Sequence, residues 1–192
     1  MSLQKINTRT IVLTLMIVAA AAFRLLSFKY PYVLSNFTPV GAIALFGGAY
    51  FTDKWKAYAV VLLTLFLSDI AINYLYTSKW VLWYGGSFWV YFTFAIMVFV
   101  GTLIKKVNVA NVAIASLAAV CIHWLIIDLP FLYGTLYSHT LAGYGQSLVA
   151  AIPFERNMVL GDLVFGAILF GGFELAKRKN PALRSKKELA VS

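Results

Sequence analysis

The sequence has few of the residues that cross-link, charge and solvate a soluble domain. One cysteine, Cys121, stands among 192 residues, which excludes an intrachain disulfide and any metal site built from several cysteines. Charged side chains make up 12% of the chain, and only seven of them are acidic. Soluble domains carry about 25% charged residues. The composition therefore excludes an ordinary soluble domain.

The sequence also lacks the short motifs of the common enzyme classes. There is no Gly-x-Ser-x-Gly elbow, no His-Glu-x-x-His, no glycine-rich phosphate loop followed by Lys-Ser or Lys-Thr, and no Asp-x-x-Asp pair. His123 and Cys121 are two residues apart, so they lie on different faces of a helix and do not form a dyad. We predict that both pack between helices, with ligation of a metal-containing cofactor as the weaker alternative. The sequence predicts neither an enzyme nor a resident cofactor.

Long apolar runs make up most of the sequence. Hydrophobic residues make up 61% of the chain, and the mean hydropathy is +0.83. Six runs are long enough to cross, or nearly cross, a hydrocarbon layer of about 30 Å. They lie near residues 10–27, 38–52, 57–76, 87–104, 109–128 and 157–176. The predicted fold is all-α, a single transmembrane domain over residues 1–192 with six helices, of which the short second span is buried among the others.

The distribution of positive charge predicts the orientation of the bundle. With the N-terminus in the cytoplasm, twelve of the 16 lysines and arginines fall inside and four fall outside, as the positive-inside rule requires. The inner twelve are Lys5, Arg9, Lys54, Lys56, Lys105, Lys106, Lys177, Arg178, Lys179, Arg184, Lys186 and Lys187. We therefore predict a protein of the bacterial inner membrane with two cytoplasmic termini and a basic tail at 177–192. The net charge of +9 is predicted to contact lipid headgroups and not nucleic acid.

A cleavable signal peptide is the alternative interpretation of the first apolar run. Lys5 and Arg9 precede the run, and Ala20-Ala21-Ala22 resembles a cleavage site. Residues 23–26 continue the helix without a polar break, so we favour a retained first span.

Residues 36–51 are predicted to form the central packing helix. Thr38 and Pro39 mark its start, because a threonine hydroxyl can cap orphan N–H groups and proline at the first position loses no hydrogen bond. The run that follows is rich in small residues, namely Gly41, Ala42, Ala44, Gly47, Gly48 and Ala49. In lipid, small residues let helix backbones approach closely, and Ala44 and Gly48 have the small-xxx-small spacing.

The connections on the outer side are predicted to be longer and richer in aromatic residues than the short cytoplasmic loops. Aromatic residues between 80 and 89 surround Gly85-Gly86 and are typical of a membrane–water interface. Residues 129–156 are rich in tyrosine and glycine and are predicted to be a long loop, of the kind that often covers a binding site.

Polar side chains within apolar runs are costly to insert and are functional candidates by default. Those in the outer half of the predicted bundle are Arg24, Asp69, Asn73, Trp124, Asp128, Arg156, Asn157 and Asp162. The inner half has little that is polar apart from Glu174 and the basic ends. A channel needs polar groups through its whole depth, so this asymmetry predicts a pocket open to the outside, with Asn73 sharing the hydrogen bonds of Asp69. The alternative is that the arginines and acids only lock helices together.

The stretch Asn-Phe-Thr-Pro-Val-Gly-Ala-Ile-Ala-Leu-Phe-Gly-Gly-Ala from Asn36, with Leu67-Ser68-Asp69 and Gly161-Asp162, resembles an uncharacterised family of small bacterial integral membrane proteins over most of residues 20–176. The architecture is similar to that of the S components of energy-coupling-factor vitamin transporters, closest to the cobalamin-specific, BtuM-like type in size and single cysteine. That resemblance implies uptake of a small vitamin or cofactor-type ligand, cobalamin among them, with an energy-coupling module as partner. The alternative is a structural or assembly subunit that binds a partner through the small-residue face of the second span.

Overall fold

The computed structural model describes residues 7–30 and 34–189, apart from the side chains of Ser27, Lys186 and Lys187. Within these ranges every regular element is helical, which confirms the predicted all-α class. Lys5 and residues 190–192 of the predicted tail lie outside the described residues.

The helices are numbered here in chain order. They are α1 (Thr8–Ala22), α2 (Arg24–Lys29), α3 (Val40–Tyr50), α4 (Lys54–Thr77), α5 (Ser87–Thr102), α6 (Val109–Ile127), α7 (Leu141–Gly166), α8 (Gly172–Lys179) and α9 (Lys186–Leu189). A π-helical turn over Ala167–Gly171 joins α7 to α8, and 3-10 turns lie at Pro130–Tyr133 and Pro181–Leu183.

Four stretches of the described chain are long and apolar enough to cross a membrane. They are Thr8–Leu26, Lys54–Thr77, Val109–Ile127 and Leu141–Lys179. Two shorter apolar helices, α3 and α5, complete the set that the apolar runs predicted. Large apolar side chains such as Leu15, Leu63 and Ile114 are more than half exposed on the outside of the bundle. This much exposed apolar surface is what lipid contact requires of a multi-pass membrane protein.

The short helix α3 is the centre of the bundle. It packs against α1, α4, α5, α6 and α7, and all of its residues except Ala49 are buried. Its 11 residues rise only about 16 Å, about half of a hydrocarbon layer of about 30 Å, so the flanking residues must complete the crossing that the sequence predicts for this segment. The closest approach is to α5, where a Cβ at Gly48 would lie 2.9 Å from the Gly101 backbone. The predicted role of the small residues is confirmed, and their partner is a helix of the same chain.

The prediction that residues 129–156 form a long loop is wrong for most of that length. Helix α7 begins at Leu141, sixteen residues before the predicted span, and Thr140 caps it by accepting a hydrogen bond from the Gly143 N–H at 3.2 Å. Pro153 lies inside this helix, where it removes one backbone hydrogen bond without ending the element. The first turns of α7 are helical because α6 packs beside them, and the sequence does not reveal that neighbour.

Candidate functional site

The N-terminus of α3 is capped by a carboxylate from a distant helix. The residues before α3 make no side-chain cap to it, so the cap predicted from Thr38 is wrong. Instead Asp162 of α7, which is fully buried, accepts a hydrogen bond from the backbone N–H of Ala42 at 2.9 Å. Ala42 is the third residue of α3, where a helix's own N-cap side chain would bind. A carboxylate at this position also faces the positive end of the helix dipole.

Two further contacts hold the entry to α3 against α7. Gly41 faces the carboxylate so closely that a Cβ on it would overlap the oxygens of Asp162. The side-chain amide of Asn157 donates a hydrogen bond to the carbonyl of Ser35 at 2.9 Å. Asn157 and Asp162 therefore position the segment that leads into the central helix.

A second polar cluster joins α2, α4 and α5. The guanidinium of Arg24 lies 2.7 Å from one carboxylate oxygen of Asp69, and it also donates to the hydroxyl of Ser68. The other oxygen of Asp69 accepts a hydrogen bond from the hydroxyl of Tyr91 at 2.9 Å. Both partners of the ion pair are largely buried, so removing either one would leave an uncompensated charge inside the bundle.

A third cluster joins α6 to α7. The ring of His123 lies 2.9 Å from one oxygen of Glu155, and the indole N–H of Trp124 donates to the carbonyl of Leu148 at 2.9 Å. The second oxygen of Glu155 is buried and has no hydrogen-bond partner within the described part of the chain. This cluster lies on the part of α7 that the sequence had predicted to be a loop.

Asp128 secures the turn that follows α6. Its carboxylate accepts a hydrogen bond from the hydroxyl of Tyr133 at 2.7 Å, and its carbonyl accepts one from the hydroxyl of Ser147 at 2.6 Å. Burial raises the pKa of the Tyr133 phenol and the bond to Asp128 raises it further, so this phenol stays protonated and donates. The contacts fasten the 3-10 turn to both neighbouring helices.

The predicted site residues lie in separate clusters and do not meet in one pocket. Asp69 lies on α4, whose main neighbours are α1, α2, α3 and α5. Trp124 and Asp128 belong to the contact between α6 and α7, and Asn157 and Asp162 belong to the contact between α7 and the entry to α3. The expected juxtaposition of the third, fifth and sixth spans does not occur among their main contacts.

Three predicted residues have other surroundings than expected. Asn73 donates to the carbonyl of Val81 at 3.3 Å, so the prediction that it shares the hydrogen bonds of Asp69 is wrong. Arg156 lies on an exposed side of α7, and Cys121 is exposed on α6. The residues that the structure describes contain no group of three or more His, Cys, Asp or Glu that could bind a metal ion.

Sequence reasoning missed a dense polar cluster at the opposite end of the bundle, where the C-terminus of α3 is buried. Arg9 of α1, itself buried, donates to the carbonyl of Tyr50 at 2.9 Å and to that of Leu183 at 2.5 Å. The ammonium of Lys54 donates to the carbonyl of Gly48 at 2.8 Å. Cations at a helix C-terminus stabilise the negative end of its dipole. The central helix therefore has an acid at one end and two bases at the other.

The same cluster continues into the C-terminal tail. Lys177 lies 2.8 Å from Glu174 and 2.5 Å from Glu188, and the Ser185 N–H donates to Glu188 at 2.6 Å. Burial alone would raise the pKa of Glu188, but the bonds from Lys177 and Ser185 outweigh it and lower that pKa to about 2. The sequence signs of this cluster are the three-residue spacing of Glu174 and Lys177 and the Ser-x-x-Glu capping-box spacing of Ser185 and Glu188.

A cleft opens at the end of the bundle opposite the Arg9 cluster, between α2, α4 and residues 34–38. It has a volume of about 230 Å³ and is lined by Arg24, Phe28, Leu34, Ser35, Asn36, Thr38, Ile72 and Tyr76. The rings of Phe28 and Tyr76 make an edge-to-face contact with their centroids 5.0 Å apart. Aromatic walls beside hydroxyl, amide and guanidinium groups can hold a ring-bearing polar molecule.

Comparison with known proteins gives one match. The model of a family of unknown function, DUF6580, matches residues 4–183. The chain belongs to this family. No curated protein matches the chain, and no solved structure does.

The DUF6580 match takes in most of the polar features described above. The motif that begins at Asn36, the Arg24–Asp69 pair and Asp162 all lie within it. Glu188 lies beyond the matched residues, so the tail contact of the Arg9 cluster is outside the match.

Proposed function

We propose that the chain is a six-span protein of the bacterial inner membrane, with both termini in the cytoplasm, that binds a small ligand from the outside. Its role would be that of an S component-like binding protein for uptake of a vitamin or cofactor-type molecule. The observation that carries this proposal is the cleft between α2, α4 and residues 34–38, which combines a pair of aromatic rings with several hydrogen-bonding groups.

The positions of the charged residues support the placement of the cleft near the outer surface. Fifteen residues separate Arg9 from Arg24, Lys54 from Asp69, and likewise position 177 from position 162. At a rise of about 1.5 Å per residue, Arg24, Asp69 and Asp162 therefore lie about 22 Å along the bundle from the basic residues at its other end. In a hydrocarbon layer of about 30 Å, these groups lie within about 8 Å of the outer boundary. Polar groups at this depth reach water more easily than groups at the bilayer centre.

The size and chemistry of the cleft favour a small ring-bearing ligand. Its volume of about 230 Å³ is below the range of about 300–1,000 Å³ that is usual for drug-sized ligands. The Arg24 charge is already balanced by Asp69, so hydrogen bonding and stacking on Phe28 and Tyr76 would dominate recognition over net charge. Cobalamin would require the cleft to widen, and a single-ring vitamin would not.

The alternative of a structural or assembly subunit loses the docking face that the sequence suggested. The small residues of α3 are covered by helices of the same chain, since Gly48 packs on α5 and Gly47 packs on Val61 of α4. A partner protein would have to bind elsewhere on the bundle. The ligand-binding hypothesis therefore has the cleft as its candidate site. The subunit hypothesis no longer has the small-residue face of α3 as a candidate docking surface.

A thermal-shift screen of the purified protein tests the proposal. A ligand that binds only the folded state stabilises it by RT ln(1 + [L]/Kd), or about 2.7 kcal/mol at a hundredfold excess over Kd. We expect a subset of vitamins and ring-bearing cofactor precursors to raise the unfolding temperature. Co-purification of a stoichiometric protein, with no response to any ligand, would favour the subunit hypothesis.

Two variants locate the binding to the cleft. Phe28→Ala and Tyr76→Ala each remove one ring of the cleft wall, and we expect each to weaken binding of the hit compound at least tenfold. Phe88→Ala is the matched control, because this ring is 60% exposed at the start of α5 and does not line the cleft. Equal weakening by all three variants would contradict a site at the cleft.

A further inference from the structure

A groove separate from the proposed ligand cleft lies between the C-terminal end of α5 and the N-terminal end of α6. It has a volume of about 500 Å³ and is lined by Val100, Leu103, Ile104, Lys105, Lys106, Asn111, Ile114, Ala115 and Ala118. It is at the same end of the bundle as Arg9, because α5 approaches the C-terminal half of α3 at Gly48. The proposed ligand cleft does not include this groove, and the placement of the groove at the cytoplasmic side rests on the orientation in the proposed function.

The groove is apolar along its length and basic at its mouth. Ile114 is 65% exposed and Leu103 is 58% exposed, so the walls present open hydrocarbon to whatever lies against them. Lys105 and Lys106 are both exposed in the loop between the helices. Within the described residues, neither lysine has a carboxylate at ion-pair distance, in contrast with Lys56 and Lys177.

The loop that carries the two lysines is held in a defined shape. The side-chain amide of Asn111 donates a hydrogen bond to the carbonyl of Lys106 at 2.8 Å, and the oxygen of Asn108 accepts one from the N–H of Asn111 at 2.8 Å. The loop is short and is fastened to the first turn of α6. The two ammonium groups are therefore carried on a fixed backbone directly beside the apolar walls.

We propose that this groove binds one anionic phospholipid of the cytoplasmic leaflet. An acyl chain would lie between α5 and α6 against Ile114 and Ala118, and the headgroup phosphate would lie between Lys105 and Lys106. Basic pockets between transmembrane helices at the cytoplasmic side are a recurring form of lipid headgroup site. The charge at the mouth selects for an anionic headgroup, because a zwitterionic headgroup gains little from two adjacent lysines.

Charge also argues against a second copy of the chain as the occupant. A second copy in the same membrane would bring its own basic end to the same level, where Lys54, Arg178 and Lys179 already add positive charge. Like charges at close range repel, whereas an anionic lipid neutralises the mouth of the groove. An apolar helix from another protein would leave the two lysines without a counter-charge.

The test compares lipid retention in variants of the full chain. The protein is purified from membranes in mild detergent, exchanged with phosphatidylglycerol or phosphatidylcholine, and examined by native mass spectrometry and by unfolding temperature. We expect one phosphatidylglycerol to be retained in preference to phosphatidylcholine. The double variant Lys105→Gln/Lys106→Gln should bind it roughly thirtyfold more weakly, since each lysine near an anionic lipid contributes roughly fivefold.

Two further variants separate the groove from general surface charge. Lys29→Gln/Lys79→Gln removes two lysines from the opposite end of the bundle and should leave lipid retention unchanged. Ala118→Phe fills the groove and should lower phosphatidylglycerol retention while the unfolding temperature of the lipid-free protein stays level. Equal retention of both lipids, loss in the Lys29/Lys79 control, or a dimer cross-linked through position 114 in place of bound lipid would overturn the proposal.

Discussion

At the scale of single residues, Asp162 shows how a buried acid can serve the fold. It bonds the N–H of Ala42 inside the bundle, where water is not available to replace it. An unsatisfied buried donor costs about 1–3 kcal/mol, whereas an exposed acid costs little to remove. Asp162 is predicted from the sequence to bind a ligand, and in the structure its side chain caps the N-terminus of α3.

Replacing Asp162 should therefore destabilise the protein. We expect Asp162→Ala to lower the free energy of unfolding by about 1–3 kcal/mol, because the N–H of Ala42 loses its acceptor. Asp162→Asn keeps an oxygen in place and should be milder. Tryptophan fluorescence during thermal unfolding in detergent measures the effect, with Asp53→Ala as the exposed control. An Asp162→Ala protein as stable as the control would show that the cap contributes nothing.

The Arg24–Asp69 pair is the second residue-scale feature with a measurable energy. Removing one partner leaves the other charge largely buried, and removing both leaves an apolar contact. In a double-mutant cycle with Arg24→Met and Asp69→Leu we expect a coupling energy of about 0.5–3 kcal/mol. The exposed pair of Lys56 and Asp53 provides the comparison, and its coupling should stay below about 0.5 kcal/mol. Equal coupling in the two cycles would mean that burial of the Arg24 pair has no consequence.

At the scale of helices, the contact between α3 and α5 depends on two glycines that face each other. A Cβ at Gly101 would lie 2.8 Å from the Cα of Leu45, and one at Gly48 would meet the backbone of α5. Both obstacles are backbone atoms, which a rotamer change does not move. The approach of the central helix to its neighbour is therefore set by the absence of side chains.

Gly48→Ala should force these helices apart. We expect a loss of about 1–3 kcal/mol, as for other overpacked cores, despite the better helix propensity of alanine. Gly171→Ala is the matched control, since a Cβ there meets nothing within 4 Å and the residue also lies in helical backbone. Unfolding temperature should fall in the first variant and stay level or rise in the second. The reverse order would show that the contact is looser than described.

The sequence predicts where the helices of this protein lie along the chain better than it predicts which helices pack against each other. Apolar runs indicated the four long stretches and the two shorter helices α3 and α5, and the small residues around Gly48 indicated that α3 is central. The start of α7 was missed, because its glycines and Pro153 are typical of a loop and only the packing of α6 keeps them helical. The partner of Asp162 lies 120 residues away, and no local pattern specifies which helices adjoin.

At the scale of the whole molecule, the two chain ends are joined through buried charge. Arg9 bonds the carbonyl of Leu183, and Lys177 bonds Glu188 in the tail. The sequence offered these basic residues as signs of topology, and the structure gives Arg9 and Lys177 a second role as parts of a packed cluster.

Glu188 makes this junction sensitive to acid. Its pKa in the fold is about 2, below its ordinary 4.5, so its charge stabilises the fold above about pH 4.5 and this contribution is lost between pH 4.5 and 2. We expect Glu188→Gln to be less stable than the parent at pH 7 and to approach it as the pH falls through this window. In a Lys177→Gln background the same substitution should have a smaller effect, because among the described residues only Arg9, at 3.3 Å, and the Ser185 N–H still contact the carboxylate. A stability difference that is constant with pH would contradict the role of the charge.

The central claim is that the cleft of Phe28 and Tyr76 faces the outside and the Arg9 cluster faces the cytoplasm. The most direct test is thiol labelling of intact bacterial cells that express single-cysteine variants in a Cys121→Ala background. Cysteine in place of Tyr76, which is 57% exposed, should react with a membrane-impermeant maleimide added outside. Cysteine in place of Lys105 should react only after lysis. Labelling of position 105 but not of position 76 in intact cells would mean that the protein has the opposite orientation in the membrane, which would contradict the account.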